Sequence, residues 1–234
     1  MKYPVRIFPL VVFLVSCGGS EAPPPKVAEA PVEEESPRER QQIQVNSEVG
    51  GLNETKVNRA FEHALGGLRK CINDGARRVE FIAGDIGFQV EVDRGGQSSV
   101  FVDQSTLGDR ETEKCMVGVL AAESWPKPVG GDKGQAHKSF GFDSPKAVRP
   151  PVDWSADDVK DELAKLGPQL EECKRGQAGF TATLYVDTSG QPLAAGVASS
   201  SPGADGAADC IVRVLKSAKY RSPGSWAAKV SFPL

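Results

Sequence analysis

The sequence holds only two histidines, His63 and His137, in 234 residues. That leaves little material for a histidine-based metal site or a histidine-driven nucleophile. It has no excess of positive charge: the formal net charge is −3. Nucleic acid is therefore not an expected partner, because phosphate backbones are met by a basic field. No apolar run reaches the roughly 20 residues that a membrane-spanning helix needs. There is no Cys-x-x-Cys pair, and Gly95-Gly96 and Gly130-Gly131 sit in neither a phosphate-loop nor a dinucleotide-binding context, so they read as turns. Ser199-Ser200-Ser201 has no histidine in its own part of the chain to activate a nucleophile. Asp157, Asp158, Asp161, Glu162, Glu171 and Glu172 fall off an apolar helical stripe and read as a solvated face, the first two suiting a helix N-terminus. These deficits point away from an enzyme and imply no cofactor and no metal.

The N-terminus is informative. Lys2 and Arg6 precede a mostly apolar run, Ile7 to Val15, with the charged start and short apolar centre of an export signal. The run ends Leu14-Val15-Ser16-Cys17, which resembles a bacterial lipobox. The resemblance implies cleavage before Cys17 and lipidation of its thiol and new amine, and several acyl chains together give stable anchoring. Gly18 is not the aspartate that retains enteric lipoproteins in the inner membrane, so the outer membrane is the expected destination. From Gly18 to about Gln44 the chain is rich in Pro, Glu and Ala, including Pro23-Pro24-Pro25 and Glu33-Glu34-Glu35. Such composition cannot bury enough apolar surface to offset the entropy of ordering, and reads as a tether.

The rest of the chain occurs twice. Val57, Phe61, Ala64, Leu68 and Cys71 follow a 4, 3, 4, 3 spacing, one face of an amphipathic helix, with Asn53 as N-cap. Val159, Leu163, Leu166, Leu170 and Cys173 repeat that spacing 102 residues later, after the cap Ser155. Gly167-Pro168 is expected to kink or break this second helix. Phe88, Val90 and Val92 alternate with polar residues, as do Phe180, Ala182, Leu184 and Val186. The turns Asp93–Gln97 and Asp187–Gln191 align at an offset of 94. Cys115 aligns with Cys210 and Trp125 with Tyr220 at 95, and Phe142 with Phe232 at 90. Asp109 caps the helix that carries Cys115. The segment Val79 to Asp85 has no counterpart; a longer strand and a bulge are both open. Each copy reads helix, strand, strand, helix, strand.

Five cysteines make an odd count that resolves if Cys17 is set apart. The others lie 44 and 37 residues apart within their copies, which are not zinc-ligand spacings. An exported chain meets an oxidising compartment, so the expected disulfides are Cys71–Cys115 and Cys173–Cys210.

The second copy, through Phe180–Val186, Asp187–Gln191, Val197-Ala198-Ser199-Ser200, Cys210, Lys219-Tyr220, Pro223-Gly224 and Val230–Phe232, resembles the C-terminal domain of TonB-family proteins. The first, with Cys71, Cys115 and Trp125-Pro126-Lys127-Pro128-Val129-Gly130-Gly131, is similar to the related AgmX/PglI C-terminal domain. The resemblance implies an α+β fold of two tandem αββαβ domains, each a three-stranded antiparallel sheet packed with two helices. It implies binding of a peptide by strand addition to a sheet edge. The expected boundaries are a signal peptide over 1–16, a lipidated Cys17 and linker over 17–47, and domains over 48–145 and 150–234. The expected partner-binding edges are the last strands, at Lys138, Phe140 and Phe142 and at Lys229, Val230, Ser231 and Phe232. The functional expectation is a periplasm-facing envelope lipoprotein, held by its lipid in the membrane and acting as a non-catalytic adaptor or scaffold for envelope proteins. The alternative is a structural protein that binds peptidoglycan or self-associates.

Overall fold

The computed structural model describes residues 49–234. The expected signal peptide over 1–16, the expected lipidation of Cys17 and the expected linker over 17–47 lie outside the described residues. The first half comprises β1 (Val49–Gly50), α1 (Glu54–Gly75), β2 (Gly84–Asp93), β3 (Ser98–Ser105), α2 (Arg110–Ala121) and β4 (Lys133–Phe142). The second comprises β5 (Val152–Trp154), a 3₁₀ turn (Ala156–Asp158), α3 (Lys160–Lys174), β6 (Phe180–Val186), β7 (Pro192–Ser199), α4 (Asp205–Ser217) and β8 (Ala228–Pro233). The two halves have the same topology: sheet order β1-β4-β2-β3 in one and β5-β8-β6-β7 in the other.

The α+β class and the duplicated order are as expected, but each sheet has four strands where three were expected. The additional strands, β1 and β5, pair parallel to the last strand of their own half. They are two and three residues long, too short to carry a countable alternation.

Local chemistry starts and stops the elements. The Asn53 side chain accepts from Lys56 N at 3.0 Å and opens α1. Asp109 accepts from the Thr112 hydroxyl at 2.6 Å and its N–H at 3.3 Å, opening α2. Ser155 N donates to the Asp158 carboxylate at 2.7 Å. The two hairpin turns reuse one device: Asp93 Oδ1 accepts Gln97 N, and Asp187 Oδ1 accepts Gln191 N, each at 2.8 Å. Gly190 has φ +85°, and a Cβ there would stand 2.2 Å from the Tyr220 carbonyl oxygen, so only glycine fits. The repeat extends to side-chain bonds: Trp125 Nε1 donates to Leu120 O at 2.9 Å, and Tyr220 OH to Leu215 O at 3.1 Å. Pro168 neither breaks nor ends α3. Its missing N–H would have met the Ala164 carbonyl, and both residues lie on the exposed side, where water can satisfy that oxygen.

Each half has its own core between sheet and helices. Phe61, Leu68, Ile86, Phe88, Met116 and Leu120 form one, and Phe180, Leu184, Ile211, Leu215, Val230 and Phe232 the other. Both expected disulfides are present, Cys71–Cys115 and Cys173–Cys210, with Cα separations of 5.8 and 5.4 Å. Each ties the two helices of its half together.

The halves are also fused. The described residues form one compact unit, in which β3 packs on β6 and β7 and α2 packs on β7. The face of the second sheet away from its helices, Thr183, Tyr185, Ala194 and Ala198, is buried. Phe81, from the segment without a counterpart, is buried with its ring 5.5 Å from Tyr185 and 6.1 Å from Trp226. Glu113 is fully buried here, accepting from Ser105 Oγ at 2.6 Å and Val197 N at 3.3 Å. A Cβ on Gly196 would stand 2.3 Å from that carboxylate. Desolvation raises the Glu113 pKa, against the lowering effect of these bonds and of Arg110. Arg110 binds Asp205 at 2.7 Å and Asp209 at 2.8 Å, and Lys114 binds Asp209 at 2.6 Å. Arg110 aligns with Asp205 and Lys114 with Asp209 at the same offset as the cysteines. Equivalent positions of the two copies therefore face each other with opposite charge, a pseudo-two-fold contact.

Candidate functional site

The candidate site is the outer edge of the first sheet. β2 pairs β4 along its whole length, Gly84↔Phe142 to Asp93↔Lys133. On the other side β1 covers only Lys133 and Gly134. From Gln135 to Phe142 no strand pairs with the outer side of β4 among the described residues. A strand exposes unpaired N–H and C=O groups along such an edge, a template for another chain.

Alternation along β4 gives the edge two walls. Ala136, Lys138, Phe140 and Phe142 alternate with Gln135, His137, Ser139 and Gly141, the first set half-buried and the second exposed. Phe140 packs 5.9 Å from Phe61 and 6.1 Å from Phe88, and Phe142 stacks on Phe140 at 6.3 Å. Lys138 Nζ lies 5.6 Å from the Phe61 ring centroid, a cation–π contact. The three expected residues thus lie together beside α1, on an apolar shelf with one cation. A groove of about 430 Å³ continues the shelf past β1, lined by Leu52, Val57, Ala136 and His137 among others.

On the opposite face of the sheet, His137 Nε2 meets Asp103 Oδ2 at 3.0 Å, and Gln135 Nε2 donates to Glu91 Oε1 at 2.9 Å. Asp103 Oδ1 is buried without a hydrogen-bond partner and lies close over Gly87, where a side chain would displace it. Ser139 shares this face, but no hydrogen bond joins it to His137, so acid, imidazole and hydroxyl form no relay. His63 lies elsewhere, with Nδ1 2.9 Å from Glu123.

The second half differs. β5 covers β8 from Ala228 to Val230, so Lys229 and Val230 do not lie on an outer edge. Lys229 Nζ donates to Ala83 O at 2.7 Å and sits 5.4 Å from the Tyr185 ring, between the halves. Burial there lowers its pKa. Ser231 Oγ bonds Thr183 Oγ1 at 2.7 Å, while Val230 and Phe232 belong to the core. Trp154 at the end of β5 is held by the Arg221 guanidinium, 4.6 Å from its ring centroid, and Arg221 is itself paired with Asp158. The chain's own segment thus closes the first half of the equivalent edge, Ala228 to Val230, and leaves Ser231 to Pro233 past its end. The residues that close it were not legible as a strand, and Leu52, Val57 and Ala136 read as ordinary helix or strand positions. The outer strands on the far side, β3 and β7, meet at the contact between the halves.

No protein-family model, no curated protein and no solved structure matches the chain.

Proposed function

We propose that the protein is a non-catalytic bacterial envelope lipoprotein, anchored through Cys17 in the outer membrane and facing the periplasm, that captures a partner polypeptide by strand addition to β4. In this reading its two halves are tandem TonB-C-terminal-like domains, of which the first binds and the second acts as a fused support. The observation that carries the reading is the asymmetry of the edges. Gln135–Phe142 is a proline-free strand edge eight residues long beside an apolar shelf, whereas β5 covers half of β8 and leaves only Ser231 to Pro233, ending in a proline, past its end. A long open edge is a liability that folds ordinarily blunt unless pairing is its use. The two disulfides are consistent with an oxidising compartment.

Proline scanning tests the reading. Along an antiparallel pair, successive N–H groups point alternately toward and away from the neighbouring strand. Of His137→Pro and Lys138→Pro, one therefore removes a donor that faces outward and spares pairing with β2. That variant should keep its melting temperature nearer wild type and lose the partner captured from native envelopes. Partner capture that survives both variants, or binding to purified peptidoglycan sacculi that survives both, would favour the structural alternative.

A further inference from the structure

We propose a second docking site, for an acidic peptide segment of a partner protein, in the groove on the other side of α1. The groove holds about 610 Å³, within the range of ligand-binding clefts. Lys56, Arg59 and His63 form one stripe of α1 by their spacing of 3 and 4, and Lys127 faces them from the loop between α2 and β4. Lys56, Arg59 and Lys127 are exposed and come from two separate segments. Their side chains have no hydrogen bond, ion pair or ring contact among the described residues. Elsewhere on this protein arginines find acids: Arg78 with Asp109, Arg94 with Asp132, Arg110 with Asp205.

The groove's one carboxylate, Glu123, is already engaged by His63 Nδ1 at 2.9 Å. The floor is Ala60 and Trp125, both buried against the core, and the indole N–H is spent on Leu120 O. Three uncompensated cations therefore rim an apolar floor that offers no donor. An extended segment carrying two or three carboxylates matches this pattern: its acids meet Lys56, Arg59 and Lys127, and its methylene stems lie on the floor. A flat bilayer surface does not enter a concave groove. The site is independent of β4, because Lys56 and Arg59 lie on the flank of α1 opposite the groove lined by Val57 and Ala136.

The test is fluorescence anisotropy of labelled hexaglutamate against the full-length chain, with labelled hexaglutamine as the neutral control. The expected result is binding of hexaglutamate alone, weakening as salt rises from about 50 to about 300 mM. Each exposed pair contributes a factor of about 1.4 to 5, so the triple variant Lys56→Gln/Arg59→Gln/Lys127→Gln should weaken binding roughly 3- to 100-fold. Lys146→Gln/Lys219→Gln, which removes two exposed lysines elsewhere, and the tolerated β4 proline variant should bind like wild type. Three results would overturn the proposal: no preference for hexaglutamate, equal loss in the control double variant, or binding to phosphatidylglycerol vesicles in place of the peptide.

Discussion

Replacing Phe81 by alanine probes whether the two halves form one cooperative body. Phe81 is 6% exposed and packs between Tyr185 and Trp226, two rings of the other half. Deleting a buried phenylalanine side chain costs about 3–5 kcal/mol, as lost transfer energy plus the cavity left behind. The aromatic contacts contribute about 0.5–1.5 kcal/mol each within that cost. Trp226 is only partly buried, so the site can relax on one side, and we expect about 3 kcal/mol. The assay is urea unfolding of proteins that retain a single tryptophan, either Trp125 in the first half or Trp154 in the second, with Trp226→Phe in both so that a ring still packs on Phe81, each compared with and without Phe81→Ala. Because neither indole touches Phe81, both report on cooperativity and not on the local ring. The account expects both midpoints to fall together with unchanged slope. A shift confined to one reporter, or a cost below about 1 kcal/mol, would refute the argument that the halves unfold together.

Further outcomes follow from the cysteines and from Glu113. Closing loops of 44 and 37 residues should stabilise the fold by about 4 kcal/mol each through loop-closure entropy. Cys71→Ser/Cys115→Ser and Cys173→Ser/Cys210→Ser should each lose that amount in equilibrium unfolding, and non-reducing peptide mass spectrometry should find only these two pairings. Glu113 has its pKa raised in the folded state by burial, with Arg110, Asp109 and Tyr185 as the titratable groups around it. The folded state therefore holds its proton more tightly than the unfolded chain. Its contribution is fully present below the unfolded value of about 4.3 and is lost as pH rises through the folded value. Glu113→Gln should flatten that part of the stability profile and gain on wild type toward neutral pH; an unchanged pH profile would contradict it.

What was legible in the sequence, and what was not, divides along physical lines. Periodic apolar spacing marked α1 and α3, alternation marked β2 and β6, and Asn53 and Asp109 announced helix starts, because each rests on contacts only a few residues apart; Ser155, expected to cap α3, instead opens the 3₁₀ turn before it. The disulfides followed from the repeat and the compartment. β1 and β5 were not legible: strands of two or three residues have no period. The contact between halves was also hidden. Thr183 and Tyr185 read as the polar side of a half-exposed strand, yet they are buried because the first half covers them. Glu113 and Arg110 look like surface charges on α2. Comparing the copies would have flagged Glu113, since its aligned position is Ala208, a core residue. The candidate edge was half legible for the same reason. Its residues in β4 could be named from their alternation, but the expected match of Phe142 to Phe232 is off by four: Phe232 lies opposite Ala182 as Lys138 lies opposite Phe88. The covering of Lys229 and Val230 by β5 depends on a strand the sequence does not announce.

The central claim is that β4 receives a partner strand and β8 does not. Site-specific photocrosslinking in intact envelopes tests it most directly, with the photoreactive residue at Gln135 or Ser139 on β4 and at Lys229 or Ser231 on β8. The account predicts crosslinks from the β4 positions to one polypeptide, abolished by the proline variant that spares β2. Crosslinks from β8 to that polypeptide, or from β4 only to glycan strands, would contradict it.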